Sequence, residues 1–474
     1  MKVEMGLVAL ALSCLVLDLF LPKKKSGHIL ANVAMTGVAF LFGLLCFEWG
    51  KFGYAFGSSF AYDGLALCFK AILFIAAFFV LFMAREYQGQ LKRGKGEFIL
   101  LILFALIGAD FIASANDFLL FFVALETLSV SLYIMTAYLR DHETSIEAGV
   151  KYLILGALST AVFLYGLSYV YGVTGSTHYL EIQKTLVSSG SLPASFIFGM
   201  ILIVASLGFK VSAVPFHLWV PDVYQGAPTP VTAFLATASK TAGFAALTRL
   251  VLTVFLPAAE QLTLLFGVLA ALTIVYGNLG AIPQTNIKRL LGYSSIGHAG
   301  YLLIGLAVPG LLGKEAILFY LLSYVFSTAG VFLVLVAIAG SVKSDAISEL
   351  AGLSKRSPIL AAAMLVSLMS LAGVPPFGGF FAKFYVLWSC MRAGIIWLVV
   401  IGALNVVTSL YYYLKVVRVM YADEPAAGQA ELQVSHSQKA MQYFAIAGIL
   451  VMGIFQGPFV RVATSALSSF ITVR

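Results

Sequence analysis

Apolar runs of about 18–25 residues, each long enough to cross a bilayer as a helix, recur along this chain from end to end. The stretch "AILFIAAFFVLFMA", Ala71 to Ala84, is typical. Lipid offers no partner to an open backbone group, so only helices and closed barrels cross it. Barrel strands would be short segments of alternating polarity, and the sequence has none. The fold class is therefore an all-α polytopic membrane protein. Composition agrees: 61% of the 474 residues are hydrophobic and 11% charged, against roughly 25% charged in soluble domains.

About fourteen transmembrane helices are expected. The first seven lie near 4–21, 28–47, 60–84, 97–115, 117–139, 147–172 and 193–215. The other seven lie near 226–254, 260–281, 286–308, 313–340, 357–390, 394–421 and 438–464. The first lacks the short core and small-residue cleavage site of a signal peptide and reads as retained. A net charge of +8 is not a nucleic-acid signal here, because the cations follow the odd-numbered loops. Those loops hold Lys23–Lys25, Arg85, Lys92, Arg93, Lys95, Lys288–Arg289, Lys343, Lys355–Arg356, Lys415 and Arg418. The positive-inside rule puts them in the cytoplasm, with both termini on the outer face. The four cysteines (Cys14, Cys46, Cys68 and Cys390) lack metal or disulfide spacing and read as small core residues. No GxGxxG, Walker or haem motif appears, so no redox cofactor is expected in this chain.

An internal repeat organises the middle. Helix 6 opens "EAGVKYLILGALSTAVFL" and helix 11 opens "EAILFYLLSYVFSTAGVFL". Glu147/Glu315, Tyr152/Tyr320 and the triplets Ser159–Ala161 and Ser327–Ala329 match at a constant offset of 168 residues. Asn116 opens helix 5 as Asn286 opens helix 10. Helices 4–8 and 9–13 thus read as duplicates. Five helices is an odd number, so the units enter the membrane from opposite sides, an inverted arrangement common among transporters. The expected layout is an N-terminal three-helix segment (1–96), repeat one (97–255), inverted repeat two (256–422) and a C-terminal helix (423–474).

Each unit carries one proline-interrupted helix: "SAVPFH" with Pro215 in helix 7, and "GVPPFGGF" with Pro375 and Pro376 in helix 12. Proline removes a donor and frees a carbonyl. In a membrane such gaps persist only where protein or water fills them, so helices 7 and 12 are expected to be discontinuous and to flank a hydrated path. Lys70, Lys210, Lys240 and Lys383 fall well inside spans, and Glu126 is the clearest acid. Each such charge costs roughly 2.5–3.5 kcal/mol at a helix centre. The plain alternatives are a snorkelling lysine or a static ion pair, and Lys70 suits them best. Burial disfavours an ammonium ion and a nearby carboxylate restores it. A Glu126–Lys210 pair followed by Lys240 and Lys383 therefore reads as a row of proton holders. Sodium would call for clustered oxygens instead. His217 and His298 can relay protons near neutral pH or simply pack. Lys151, one turn after Glu147, joins the path or anchors a loop.

At these residues the chain resembles the antiporter-like membrane subunits of proton-pumping NADH–quinone oxidoreductase, bacterial complex I. "FVALETLSVSLY", "EAGVKYLILGALSTA", "GFKVSAVPFHLWVPDVYQGAPTPVTAFLATASK", "NIKRLLGYSSIGHAGY" and "GVPPFGGFFAKFYV" carry the resemblance. Within that family it is most similar to the subunit N branch. Subunit M typically has glutamate where Lys383 stands, and subunit L continues into a long lateral helix. The resemblance implies a central charged axis of Glu126, Lys210, Lys240 and Lys383 in a bacterial plasma membrane. It also implies that NADH, FMN, iron–sulfur clusters and quinone are bound by other subunits. Partners would be the other membrane-arm subunits, the lipid bilayer and protons. The rivals are a subunit of an Mrp-type cation/proton antiporter, a complex fed by another electron donor, and a structural scaffold with frozen ion pairs.

Overall fold

Apolar segments that must satisfy every backbone group internally become helices, and the computed structural model, which describes residues 1–425 and 431–472, is built of them. The chain opens with α1 (Lys2–Phe20) and α2 (Lys23–Phe47). A small hairpin follows, β1 (Gly53–Ala55) against β2 (Phe60–Tyr62), in antiparallel register with Tyr54 opposite Ala61. Next come α3 (Gly64–Glu86), α4 (Lys95–Ser114), α5 (Phe118–Thr136), α6 (Glu143–Thr174) and the short α7 (Tyr179–Ser188). The first broken helix is α8 (Ala194–Val211) with α9 (Val220–Gly226). Then α10 (Thr229–Phe234) runs through a π-helical turn, Leu235–Ser239, into α11 (Lys240–Leu252). After α12 (Ala259–Ala281), α13 (Ile287–Ala307), α14 (Leu312–Ile338) and the single turn α15 (Leu353–Arg356), the second broken helix is α16 (Pro358–Ala372) with α17 (Gly378–Arg392). The chain ends with α18 (Ile396–Ala422), α19 (His436–Ile454) and α20 (Gln456–Thr472).

Each of the fourteen expected stretches is mainly helical, but Phe60–Tyr62, expected to begin the third, is strand β2, and α3 starts only after the Asp63 cap. Among the described residues, eleven helices are long and apolar enough to cross a membrane, or twelve if α19 and α20, bent by 81°, are one span. The difference from fourteen lies in expected helices 8, 12 and 14, each interrupted by a π turn, a proline break or a bend. The protein is a multi-pass membrane protein. α3, α13 and α14 are buried along nearly their whole length, while α1, α6 and α18 keep an apolar face outward.

Small residues let the core helices touch. A Cβ on Gly108 of α4 would lie 2.5 Å from the Leu128 nitrogen of α5, and one on Gly277 of α12 would lie 2.3 Å from the Gly297 nitrogen of α13. Such close backbone contact is how helices associate in lipid. The serine of each matched triplet does the same job. Ser159 of α6 bonds the Ser206 carbonyl of α8 at 3.0 Å, and Ser327 of α14 meets the Ser370 hydroxyl of α16 at 2.7 Å.

Two expectations need correction. Asp117, not Asn116, caps α5, because it directly precedes the first helical residue in extended backbone and its carboxylate accepts from the Leu119 and Leu120 nitrogens. Asn116 instead donates to the Ser58 carbonyl of the hairpin, while Asn286 does cap α13. Cys14, Cys68 and Cys390 are buried, but Cys46 is exposed near the end of α2. An apolar thiol tolerates a lipid-facing position as well as a core one.

Candidate functional site

The two helix breaks end alike. α8 stops at Ser212 with φ +69°, α16 at Gly373 with φ +86°, and both are left-handed C-caps. The next residue closes a six-to-one bond in each: Ala213 to the Gly208 carbonyl at 2.8 Å, and Val374 to the Met369 carbonyl at 3.0 Å. Carbonyls freed by the breaks find donors. The Trp219 indole bonds the Phe209 carbonyl at 3.0 Å, and the Lys383 amine bonds the Ala372 carbonyl at 2.8 Å.

Lys210 lies in the last turn of α8, 5% exposed, and donates to the Ser129 hydroxyl of α5 at 3.2 Å. The expected Glu126–Lys210 contact pair is absent among the described residues. Glu126, one turn before Ser129, accepts instead from Thr160 at 2.8 Å and acts on Lys210 only through space. The Lys210 stem passes beside Gly243, one turn beyond Lys240 on α11; a Cβ there would sit 3.5 Å from its Cγ.

Lys240 follows the π turn and is 1% exposed. It donates to the Ser295 carbonyl at 2.5 Å and the Ser295 hydroxyl at 2.6 Å. That hydroxyl also meets Tyr224 and Tyr324, each at 3.0 Å. The Tyr324 ring lies 4.9 Å from the His298 ring, and His298 is held between the Tyr320 hydroxyl at 2.7 Å and the Tyr413 hydroxyl at 3.2 Å. Tyr320 stacks on Tyr301, over whose ring the Lys383 amine sits at 5.2 Å. Lys383 completes its shell with the Ser409 hydroxyl at 3.2 Å. Lys210, Lys240, His298 and Lys383 thus form one buried polar series crossing the molecule between the breaks. Among the described residues, none of the three lysines has a carboxylate within ion-pair distance.

The remaining candidates lie off this series. His217, inside the first break, turns toward α12, its ring 4.3 Å from that of Tyr276. Lys151 is 41% exposed and bridges Glu147 and Asp222, each at 2.6 Å. Arg289 grips the other Asp222 oxygen at 2.6 Å, so this cluster clamps α6, α9 and α13 together at a loop face. Lys70 is fully buried, bonded to Glu4 of α1 and 3.4 Å from Asp110 of α4. Sequence reasoning missed Ser129, Ser295, Tyr320, Tyr324, Tyr413 and the acids Glu4, Asp110 and Asp222. A signal existed for two of them: Ser295 lies one turn before His298 in "GYSSIGHAGY", and Tyr320 sits in the repeat.

Discontinuous helices flanking a line of buried amines define an antiporter-like membrane subunit. The family described as NADH:quinone oxidoreductase/Mrp antiporter, transmembrane, matches residues 115–409, from the start of α5 into α18. NADH-quinone oxidoreductase subunit N of Desulforamulus reducens is 41% identical over 99% of this chain and 98% of that protein. A chain of respiratory complex I from Thermus thermophilus superposes with a TM-score of 0.82 at 33% identity, covering 97% of this chain and 98% of that one. A chain of the Mrp complex from Dietzia shares the fold, with a TM-score of 0.87 at 20% identity over 99% and 97% of the two chains. The chain belongs to the subunit N family of NADH-quinone oxidoreductase.

Proposed function

We propose that this chain is a proton-translocating membrane-arm subunit of NADH–quinone oxidoreductase. The observation that carries the reading is the set of three buried lysines held by hydroxyls and carbonyls rather than by carboxylates. A lysine locked to an acid is a static pair. A lysine held by neutral groups can lose its proton without stranding a buried anion.

Charge reorganisation driven by quinone reduction in other subunits would weaken the through-space hold of Glu126 on Lys210. The Lys210 proton then moves past Gly243 to Lys240, and by Ser295, Tyr324 and His298 toward Lys383. Hydroxyls in this series both donate and accept, as a proton relay requires. NADH, FMN, iron–sulfur clusters and quinone belong to other subunits in this reading, and this chain supplies only the path. Partners are the other membrane-arm subunits and the bilayer. We place odd-numbered loops in the cytoplasm, both termini outside, and the two five-helix units in opposite orientations. The parallel breaks, triplet serines and glycine contacts support that duplication.

Lys210→Ala in the native complex tests the reading. Assembled complex with impaired NADH-driven proton uptake in membrane vesicles is expected. Assembly with full pumping would remove Lys210 from the path, and sodium-dependent transport would favour the cation antiporter instead.

A further inference from the structure

Among the buried charges outside the lysine series, one cluster holds two acids and an amine. Glu4, Lys70 and Asp110 come from α1, α3 and α4, and none exposes more than 1% of its surface. Lys70 bonds one Glu4 oxygen, and the Met1 amino group lies 2.9 Å from the other. Asp110 is different. It stands 3.4 Å from the Lys70 amine, its ion-pair partner, and among the described residues neither of its oxygens has a well-aligned hydrogen bond.

This cluster is joined to the lysine series by α11. Lys240 opens that helix and Arg249 lies nine residues on, about 13 Å at 1.5 Å per residue. Arg249 donates to both Asp63 oxygens, at 2.8 and 2.9 Å, and to the Ala113 carbonyl at 3.0 Å. Ala113 is one turn beyond Asp110 on α4. The hydroxyls of Thr241 and Thr248, two turns apart on α11, and of Ser114 and Tyr62 are buried without a hydrogen-bond partner among the described residues. Buried polar groups are paired with protein or with water in the great majority of cases, and a buried water typically joins about three of them. These hydroxyls, on the elements that pack between Lys240 and Asp110, are groups of the kind a buried water joins. On the other side of Glu4, the hairpin carries Tyr62 near both acids, and Glu48 pairs with Lys51 at 2.8 Å at the molecular rim.

We infer that Glu4, Lys70 and Asp110 form the outward proton exit of this chain, a second proton-holding station fed from Lys240 along α11. This rests on the reading above, its orientation included. On the return stroke Lys383 gives the proton back by His298, Tyr324 and Ser295 to Lys240, whose ammonium passes it through water to the Asp110 carboxylate, leaving neutral amines and a carboxylic acid. The acid hands the proton by Glu4 to outer water and both carboxylates are restored. Lys70 keeps its charge throughout and holds the two anions together in the low-dielectric interior. A frozen ion cluster, with the Lys70 amine 3.4 Å from Asp110, is the competing description, and the Asp110 variants separate the two.

The test uses the complete complex in native membranes and reads protons pumped per electron. The variants are Lys210→Ala, Asp110→Asn, Asp110→Glu and the neutral triple Glu4→Gln/Lys70→Met/Asp110→Asn. The triple is expected to assemble and to lose as large a share of pumping as Lys210→Ala. Asp110→Glu, still able to hold a proton, should regain at least half of what Asp110→Asn loses. A triple that pumps like wild type, or that cannot assemble, would mark a structural cluster and overturn the inference. Equal losses in Asp110→Glu and Asp110→Asn would do the same. Full pumping by Lys210→Ala beside a deficient triple would instead remove Lys210 from the path and leave an exit fed from Lys240 standing.

Discussion

Lys210 and Lys383 meet the same electrostatic need in mirrored ways. Lys210 lies in the last turn of α8, and the Lys383 amine sits on the final carbonyl of α16. A helix carries about half a negative charge at its carbonyl end, worth 0.3–1 kcal/mol to a cation and up to about 2 when partly buried. That offsets a good part of the roughly 2.5–3.5 kcal/mol a membrane lysine costs, without any anion. Such a site stabilises the ammonium moderately and lets it go. Arginine would enjoy the same dipole but never gives up its proton. Lys383→Arg is therefore expected to assemble normally and to lose proton pumping about as fully as Lys383→Ala, measured as proton uptake per NADH oxidised. Wild-type pumping by the arginine variant would make Lys383 a fixed charge. The lysines themselves were legible in the sequence, because a charge inside an apolar run stands out. Their partners were not: a lysine stem reaches across to another helix, so Ser129 and Ser295 follow from packing rather than from spacing.

At the scale of elements, the proline breaks were legible and the π turn before Lys240 was not. Proline has an unmistakable signature, whereas "FLATAS" reads as ordinary helix. α7 went unread and β2 reads as the start of a helix, since short segments between spans carry weak periodicity. The contact between α12 and α13 shows how little room the core leaves. Gly277 has the Gly297 nitrogen 2.3 Å from where a Cβ would be, and backbone there cannot step aside cheaply. Gly277→Leu is expected to destabilise the subunit by about 1–3 kcal/mol or more, in line with overpacked cores. Gly43 on α2 has open space around it, and Gly43→Leu should change little. Thermal unfolding of the detergent-solubilised complex compares the two. Equal midpoints would mean that α12 and α13 can separate without penalty.

For the whole molecule, direction is the question the geometry leaves to orientation. α3 is one unbroken helix of 23 residues, about 34 Å long at 1.5 Å per residue, enough to cross the hydrocarbon core. Its two ends must therefore face opposite compartments. The hairpin with Lys51, Glu48 and the Asp63–Arg249 bridge lies at one end, and the exposed Lys92–Asp141 pair lies beyond the other. The proposed exit at Glu4 and Asp110 is at the hairpin end, so protons leave outward only if the hairpin faces out. Cation counts in loops favour that arrangement, because Lys92, Arg93 and Lys95 cluster opposite the hairpin. In a Cys46→Ser background, a cysteine at Lys51 should react with a membrane-impermeant maleimide in intact cells. A cysteine at Lys92 should react only once the membrane is opened. The reverse pattern would invert the chain, place the Glu4 end in the cytoplasm and make that cluster a proton entry rather than an exit.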